Sequence, residues 1–158
     1  MFRATTTLLC LLALSACASD PAPGADASGA DASAAAPEPI ALADALPETL
    51  LGRERQSLDT DADAALGAEV SEATARYGEI TVALTDFQTA EMAQMMGYAG
   101  LAAETERYLG HPVQRTEAAS SAAAEVLIDG RVLVEVTAGS AAAADSALAA
   151  LDLAPLQR

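Results

Sequence analysis

The sequence predicts an α+β fold: an antiparallel sheet of about five or six strands with two main helices packed on it. Three observations carry that reading. Alternating segments, Glu69–Tyr77 and Ile80–Thr85, flank a turn residue, Gly78. Asp129-Gly130 stands between two apolar, β-branched runs, a strong hairpin cue because both turn positions need positive φ. Two stretches, Thr89–Ala102 and Ser140–Leu151, carry helical spacing or a helix start signal.

Taken in order, the first element reads as a segment made to be removed. A single early cation, Arg3, precedes an apolar run from Leu8 to Leu14 and a small-residue exit, Ser15-Ala16. That layout is a secretory signal, too short for a bilayer span of about 20 apolar residues. Leu14-Ser15-Ala16-Cys17 resembles the bacterial lipoprotein signal, which implies cleavage after residue 16 and lipidation of Cys17. More than one acyl chain makes such anchoring effectively stable, at roughly 0.8 kcal/mol per buried methylene. Ala18 follows the cysteine. An aspartate there resembles an inner-membrane retention signal, so its absence favours the outer membrane, facing the periplasm, over the inner membrane. Cys10 leaves with the signal and Cys17 takes lipid, so no thiol remains for a disulfide, a nucleophile or a metal site.

Residues 17–43 are mostly Ala, Pro, Ser, Gly and Asp, with nothing large before Ile40 and Leu42. Such a composition buries too little apolar area to offset its ordering entropy, which predicts a disordered linker. As a flexible coil it reaches about 30 Å. Residues 44–158 are the right length for one independent domain. Tryptophan is absent and Phe87 is the single phenylalanine of this domain, so its core must come from aliphatic side chains, alanine and tyrosine.

Within the domain, Arg53–Leu58 is a candidate first strand. Ala73, Ala75 and Tyr77 share one face of the next, with Glu72, Thr74 and Arg76 on the other. After Gly78, Ile80, Val82 and Leu84 alternate with Thr81, Ala83 and Thr85, completing a hairpin. Thr89–Ala102 follows as a helix, and extended segments are expected around 105–109 and 113–117. The Asp129-Gly130 hairpin leaves its register open. A strict two-residue turn pairs Leu127 with Val132 and Val126 with Leu133, putting apolar residues on both faces; either both faces are covered, or the loop is one residue longer. Ser140 is the expected N-cap of a last helix, with Leu148 and Leu151 facing inward.

Candidate chemistry is thin. Asp59, Asp61 and Asp63 alternate like the opening of a calcium loop, but that loop needs a sixth-position glycine and a twelfth-position glutamate. Ala64 and Val70 stand there instead, so a solvated acidic loop between strands is favoured over a metal site. His111 is the only histidine, too few for an imidazole metal centre. It lacks the Gly-x-Ser-x-Gly elbow that would make it a triad base. Glu104 and Glu106 share a face of a possible strand, with no aromatic platform for glycosidase chemistry. Met92, Met95 and Met96, with Tyr98 beside them, are the candidates for an adaptable ligand groove; a core-facing stripe is favoured over that groove. No cofactor is expected.

Charge works by exclusion. The chain holds 8 basic and 23 acidic residues, net −15, and every cation is arginine. That balance disfavours nucleic acid, anionic lipid headgroups and phosphorylated ligands; it is compatible with a basic protein partner, but plain solubility is the favoured explanation.

Leu46-Pro47, Gly52 and Arg53, then Ala73-x-Ala75-x-Tyr77, then Ile80–Asp86, then Gly130–Val136 and Leu151–Leu156 together resemble a family of uncharacterised bacterial secreted proteins and lipoproteins. That family is similar in layout to Mog1/PsbP-like α+β domains. The resemblance implies the fold and carries no catalytic residues. Address, charge and resemblance lead to one expectation: a lipid-anchored periplasmic module without catalysis, held to the membrane by its anchor and acting through contact with an envelope protein partner or a small ligand. A carboxylate hydrolase and a purely structural lipoprotein are the alternatives.

Overall fold

The computed structural model describes residues 40–65 and 68–157; the signal segment 1–16, Cys17 and the linker as far as Pro39 lie outside the described residues. A 3-10 turn (Leu42–Ala45) leads into a small hairpin of β1 (Thr49–Leu50) and β2 (Arg53–Glu54). Three long strands follow: β3 (Ser57–Ala65), β4 (Ala68–Tyr77) and β5 (Ile80–Asp86). A kinked helical segment comes next, made of α1 (Ala90–Ala93), a π turn (Gln94–Tyr98) and α2 (Ala99–Ala102). The chain then returns through β6 (Arg107–Tyr108), β7 (His111–Glu117), β8 (Ala122–Ile128) and β9 (Val132–Ala138), and closes with α3 (Ala141–Ala150) and a 3-10 turn (Ala154–Leu156).

The fold is α+β. Seven strands form one sheet in the order β3-β4-β5-β9-β8-β7-β6, every neighbouring pair antiparallel. It is one strand larger than expected, the two-residue β6 joining through β7. Two meanders are fused where β5 pairs with β9, so the two strands richest in β-branched residues sit at the centre, where packing on both sides rewards them.

Because successive side chains point to opposite faces, the sheet has two sides of different character. On the closed side, Ala73, Ala75, Tyr77, Ile80, Val82 and Leu84 join Val126, Ile128, Val132, Val134 and Val136 in the main core. Ala144, Ala147, Leu148 and Leu151 cover them from α3 and its C-terminal end, as the sequence predicts for Leu148 and Leu151. Ser140 caps α3 as expected, its hydroxyl oxygen accepting from Ala143 N–H at 3.3 Å. The buried Tyr77 donates its hydroxyl proton to Pro47 carbonyl at 2.6 Å and so fixes the chain entering β1.

Ile40 and Leu42 also belong to this core. The composition boundary at Asp44 therefore falls inside the folded unit. Ile40 is held by Asp86, a carboxylate only 1 % exposed at the end of β5. Asp86 accepts from Ile40 N–H (3.4 Å) and Gln88 N–H (2.8 Å), and is clamped by Arg131 through Nε (2.6 Å) and Nη2 (2.7 Å). Two parallel bonds from a planar guanidinium are the strong form of this contact.

The β8–β9 hairpin resolves the open register. Ile128 pairs with Val132, Leu127 with Leu133 and Val126 with Val134, so the loop is one residue longer than a two-residue turn. Asp129 and Gly130 take the left-handed conformation (φ 50° and 71°), and Arg131 N–H closes the turn on Ile128 carbonyl. Both faces are covered as well: Leu127 and Leu133 lie on the second side, under the helical segment.

That segment departs from the regular helix expected over Thr89–Ala102. Thr89 caps it, its hydroxyl oxygen accepting from Met92 N–H, but one turn later the helix widens to π geometry and Gly97 leaves helical space at φ 105°. Each added residue rotates the following side chains about the axis. Met92 stays buried with Phe87, Ala93 and Leu101, while Met95 and Met96 swing out to 63 % and 46 % exposure. The stripe Met92-Met95-Met96 is thus not a core stripe; only its first member is in the core.

Candidate functional site

Val70, Leu127 and Leu133 are the part of the second side that the helical segment covers, packed with Phe87, Met92, Ala93 and Leu101. The remainder of that side has no layer over it among the described residues. Strand register lays it out in rows. One row runs Asp59, Thr74, Ala83, Glu135, Glu125, Gln114 across β3, β4, β5, β9, β8 and β7. The next begins Asp61, Glu72, Thr85 and then passes beneath the helical segment at Leu133 and Leu127. Asp63, opposite Val70, continues the β3 edge of the same side.

Six carboxylates therefore share the open face: Asp59, Asp61, Asp63, Glu72, Glu125 and Glu135. Two cations share this face among the described strand residues: Arg76, opposite Ser57 and Thr81, whose Nε donates to Gly78 carbonyl at 3.0 Å, and Arg107, opposite Pro112 at the β6 edge. Glu125 and Glu135 are direct cross-strand partners, an arrangement of like charges that destabilises a sheet. Burial, and then the neighbouring Glu135 charge, push the Glu125 carboxyl above its ordinary range. Glu135 accepts from Thr137 hydroxyl at 3.2 Å.

Tyr98 stands where the covered and open parts of this face meet. Its ring packs on Phe87 at 5.2 Å between centroids. Its phenol is pushed above the ordinary value by burial first, and then by Glu125, Glu135 and Glu72.

The residues singled out from the sequence are only partly brought together. Asp59, Asp61 and Asp63 do not form a loop: they lie in β3, on one face, exposed. Their alternation is a strand period, with β4 supplying the paired neighbour, and their side chains point the same way without closing around a point. Among the described residues no three carboxylate or imidazole side chains converge to hold a metal ion. Of the groove candidates, Tyr98 borders the open face, Met92 is buried beneath the segment, and Met95 and Met96 are exposed on it.

Among the other candidate catalytic groups, His111 and the Glu106 carboxylate are engaged in structure. His111 is tied to the domain's two ends of chain and hairpin, with Nδ1 3.5 Å from Asp129 N–H and Nε2 3.3 Å from Gln157 Nε2. Glu106 pairs with Arg115, which also reaches Asp145 at 2.8 Å and so ties β7 to α3; Glu104 carbonyl accepts from Arg107. Surface hollows are modest. The one beside Arg131, lined by Ile40, Gln88, Thr89 and Asp129, measures about 230 Å³. One near Glu79, Ser120, Ser121 and Thr137 measures about 350 Å³. Neither joins a hydroxyl to His111 and a carboxylate, the geometry a nucleophilic triad needs.

The glutamates of the open face are the functional candidates that sequence reasoning missed. Their signal was the hairpin register: a two-residue turn sets Glu125 against Val134, and the longer loop sets it against Glu135. No protein-family model matches the chain, and no curated protein or solved structure matches it. No described helix is long and apolar enough to cross a membrane.

Proposed function

We propose that this protein is a lipid-tethered, non-catalytic binding module of the bacterial envelope that presents its open sheet face to a basic protein partner. The observation that carries the reading is the charge asymmetry of that face, six carboxylates against Arg76 and, at the β6 edge, Arg107. A sheet face left uncovered and rich in one sign attracts and orients a partner of the other sign, raising encounter rates at low salt. Glu125 and Glu135 lose their mutual repulsion when a cation sits between them, so binding relieves a strain the free domain holds. The tether rests on the lipoprotein pattern ending at Cys17, and places the module within linker reach of the lipid surface.

Two measurements test this. Cells fed radioactive fatty acid are expected to label the protein, and a Cys17→Ser chain is expected to leave the membrane fraction. Retention of that variant on vesicles overturns the tether. In detergent-solubilised envelopes, a basic partner is expected to co-purify stoichiometrically at low salt and to be lost in a Glu72→Gln, Glu125→Gln, Glu135→Gln chain. An equal yield from that chain overturns the binding face.

A further inference from the structure

We propose that the basic partner binds by strand addition: an extended segment with arginine or lysine at alternate positions pairs with the outer edge of β3. The inference rests on the binding reading above and names the mode and chemistry of the partner.

Strand β3 is nine residues long and lies outermost in the sheet. Its inner edge is paired without a break, from Ser57 opposite Arg76 to Ala65 opposite Ala68. No described strand pairs its other edge. Long unpaired edges are templates for another chain, and proteins usually blunt them with proline, lysine, a bulge or brevity. β3 has neither proline nor lysine, shows an unbroken register, and exceeds the usual strand of about five or six residues. Its guard is aspartate, a residue depleted from strands.

That guard is selective. A second copy of β3 would bring its own Asp59, Asp61 and Asp63 against the same row, so self-pairing is opposed by charge. A cationic strand meets the opposite situation. Alternate residues of an extended chain lie about 6.6–6.8 Å apart, so cations at every second position of an added strand match the spacing of Asp59 and Asp61. Glu72, opposite Asp61, extends the negative surface inward from the edge. Ala62 N–H donates to the Asp61 carboxylate at 2.8 Å, a local contact from which an incoming guanidinium draws the carboxylate away. The far edge of the sheet is unlike this one. There β6 already pairs with the start of β7, and Arg115 is held by Glu106 and Asp145.

The probe is a nine-residue peptide alternating arginine with threonine, added to the full chain in non-ionic detergent, together with the same peptide N-methylated along its pairing edge. Binding is expected to be salt-dependent and to slow amide exchange across β3. Affinity is expected to fall about tenfold or more on N-methylation and for Asp59→Asn, Asp61→Asn, each tenfold loss being about 1.4 kcal/mol. Circular dichroism checks that this double variant folds, and the methylated peptide leaves the protein unchanged. Equal binding of the methylated peptide overturns strand addition and leaves the open-face reading standing. No binding by either arginine peptide overturns both.

Discussion

The two sides of the sheet are cut from the same strands and solve opposite problems. On the closed side the central positions are aliphatic, alanine or tyrosine, and α3 with segments 40–46 and 151–156 removes them from water. On the open side threonine, aspartate and glutamate prevail at the alternating positions, and a kinked segment packs on Val70, Leu127 and Leu133. Apolar packing is concentrated on one side, and six carboxylates stand on the other. The comparison teaches that one group of six carboxylates is gathered on a sheet face with no layer over it among the described residues.

Variants that break the closed side should have the largest effects. Asp86→Ala leaves Arg131, whose side chain is 14 % exposed, without its carboxylate, and orphans the N–H groups of Ile40 and Gln88. Breaking a buried pair from one side costs about 3–5 kcal/mol, to be read as a lowered urea midpoint. Leu148→Ala, at a fully buried position of α3, is expected to cost about 2–5 kcal/mol in the same titration.

The open side should respond more weakly and in the opposite direction. Removing one member of the like-charged pair with Glu125→Gln is expected to raise stability near neutral pH by about 0.2–1 kcal/mol. The pH dependence has a fixed sign. The folded chain holds the Glu125 carboxyl above its unfolded range, so the native state binds more protons and this group's contribution falls as pH rises through the folded pKa. The gain from Glu125→Gln should therefore shrink on acidification below the ordinary glutamate range. A gain that grows on acidification contradicts the assignment. Smallest of all, Met95→Asp is expected to shift stability by less than about 0.5 kcal/mol, because that side chain is exposed. Unfolding by this substitution would return the methionine to the core.

Much of the fold was legible because alternation is a local signal. The face assignment of Ala73, Ala75 and Tyr77 against Glu72, Thr74 and Arg76, the turn at Gly78 and the Ser140 cap all follow from neighbouring residues. What escaped was set by partners distant in sequence. Asp59-Thr-Asp61-Ala-Asp63 has poor strand propensity and becomes β3 because β4 pairs along its whole length. Ile40 is core because Asp86, 46 residues away, receives its N–H. Glu125 meets Glu135 only once the loop at Asp129 is counted correctly. The Met95–Met96 exposure depends on a π turn and on Gly97, for which the methionine spacing gives no warning.

The bond between Ile40 N–H and Asp86 also decides how this domain carries mechanical load. Any pull arriving along the polypeptide from before Ile40 enters the fold at the end of β5, one of the two central strands, where Arg131 binds the same carboxylate. Tension is thus delivered to a clamped point at the centre of the sheet and not to a peripheral strand that could be stripped away.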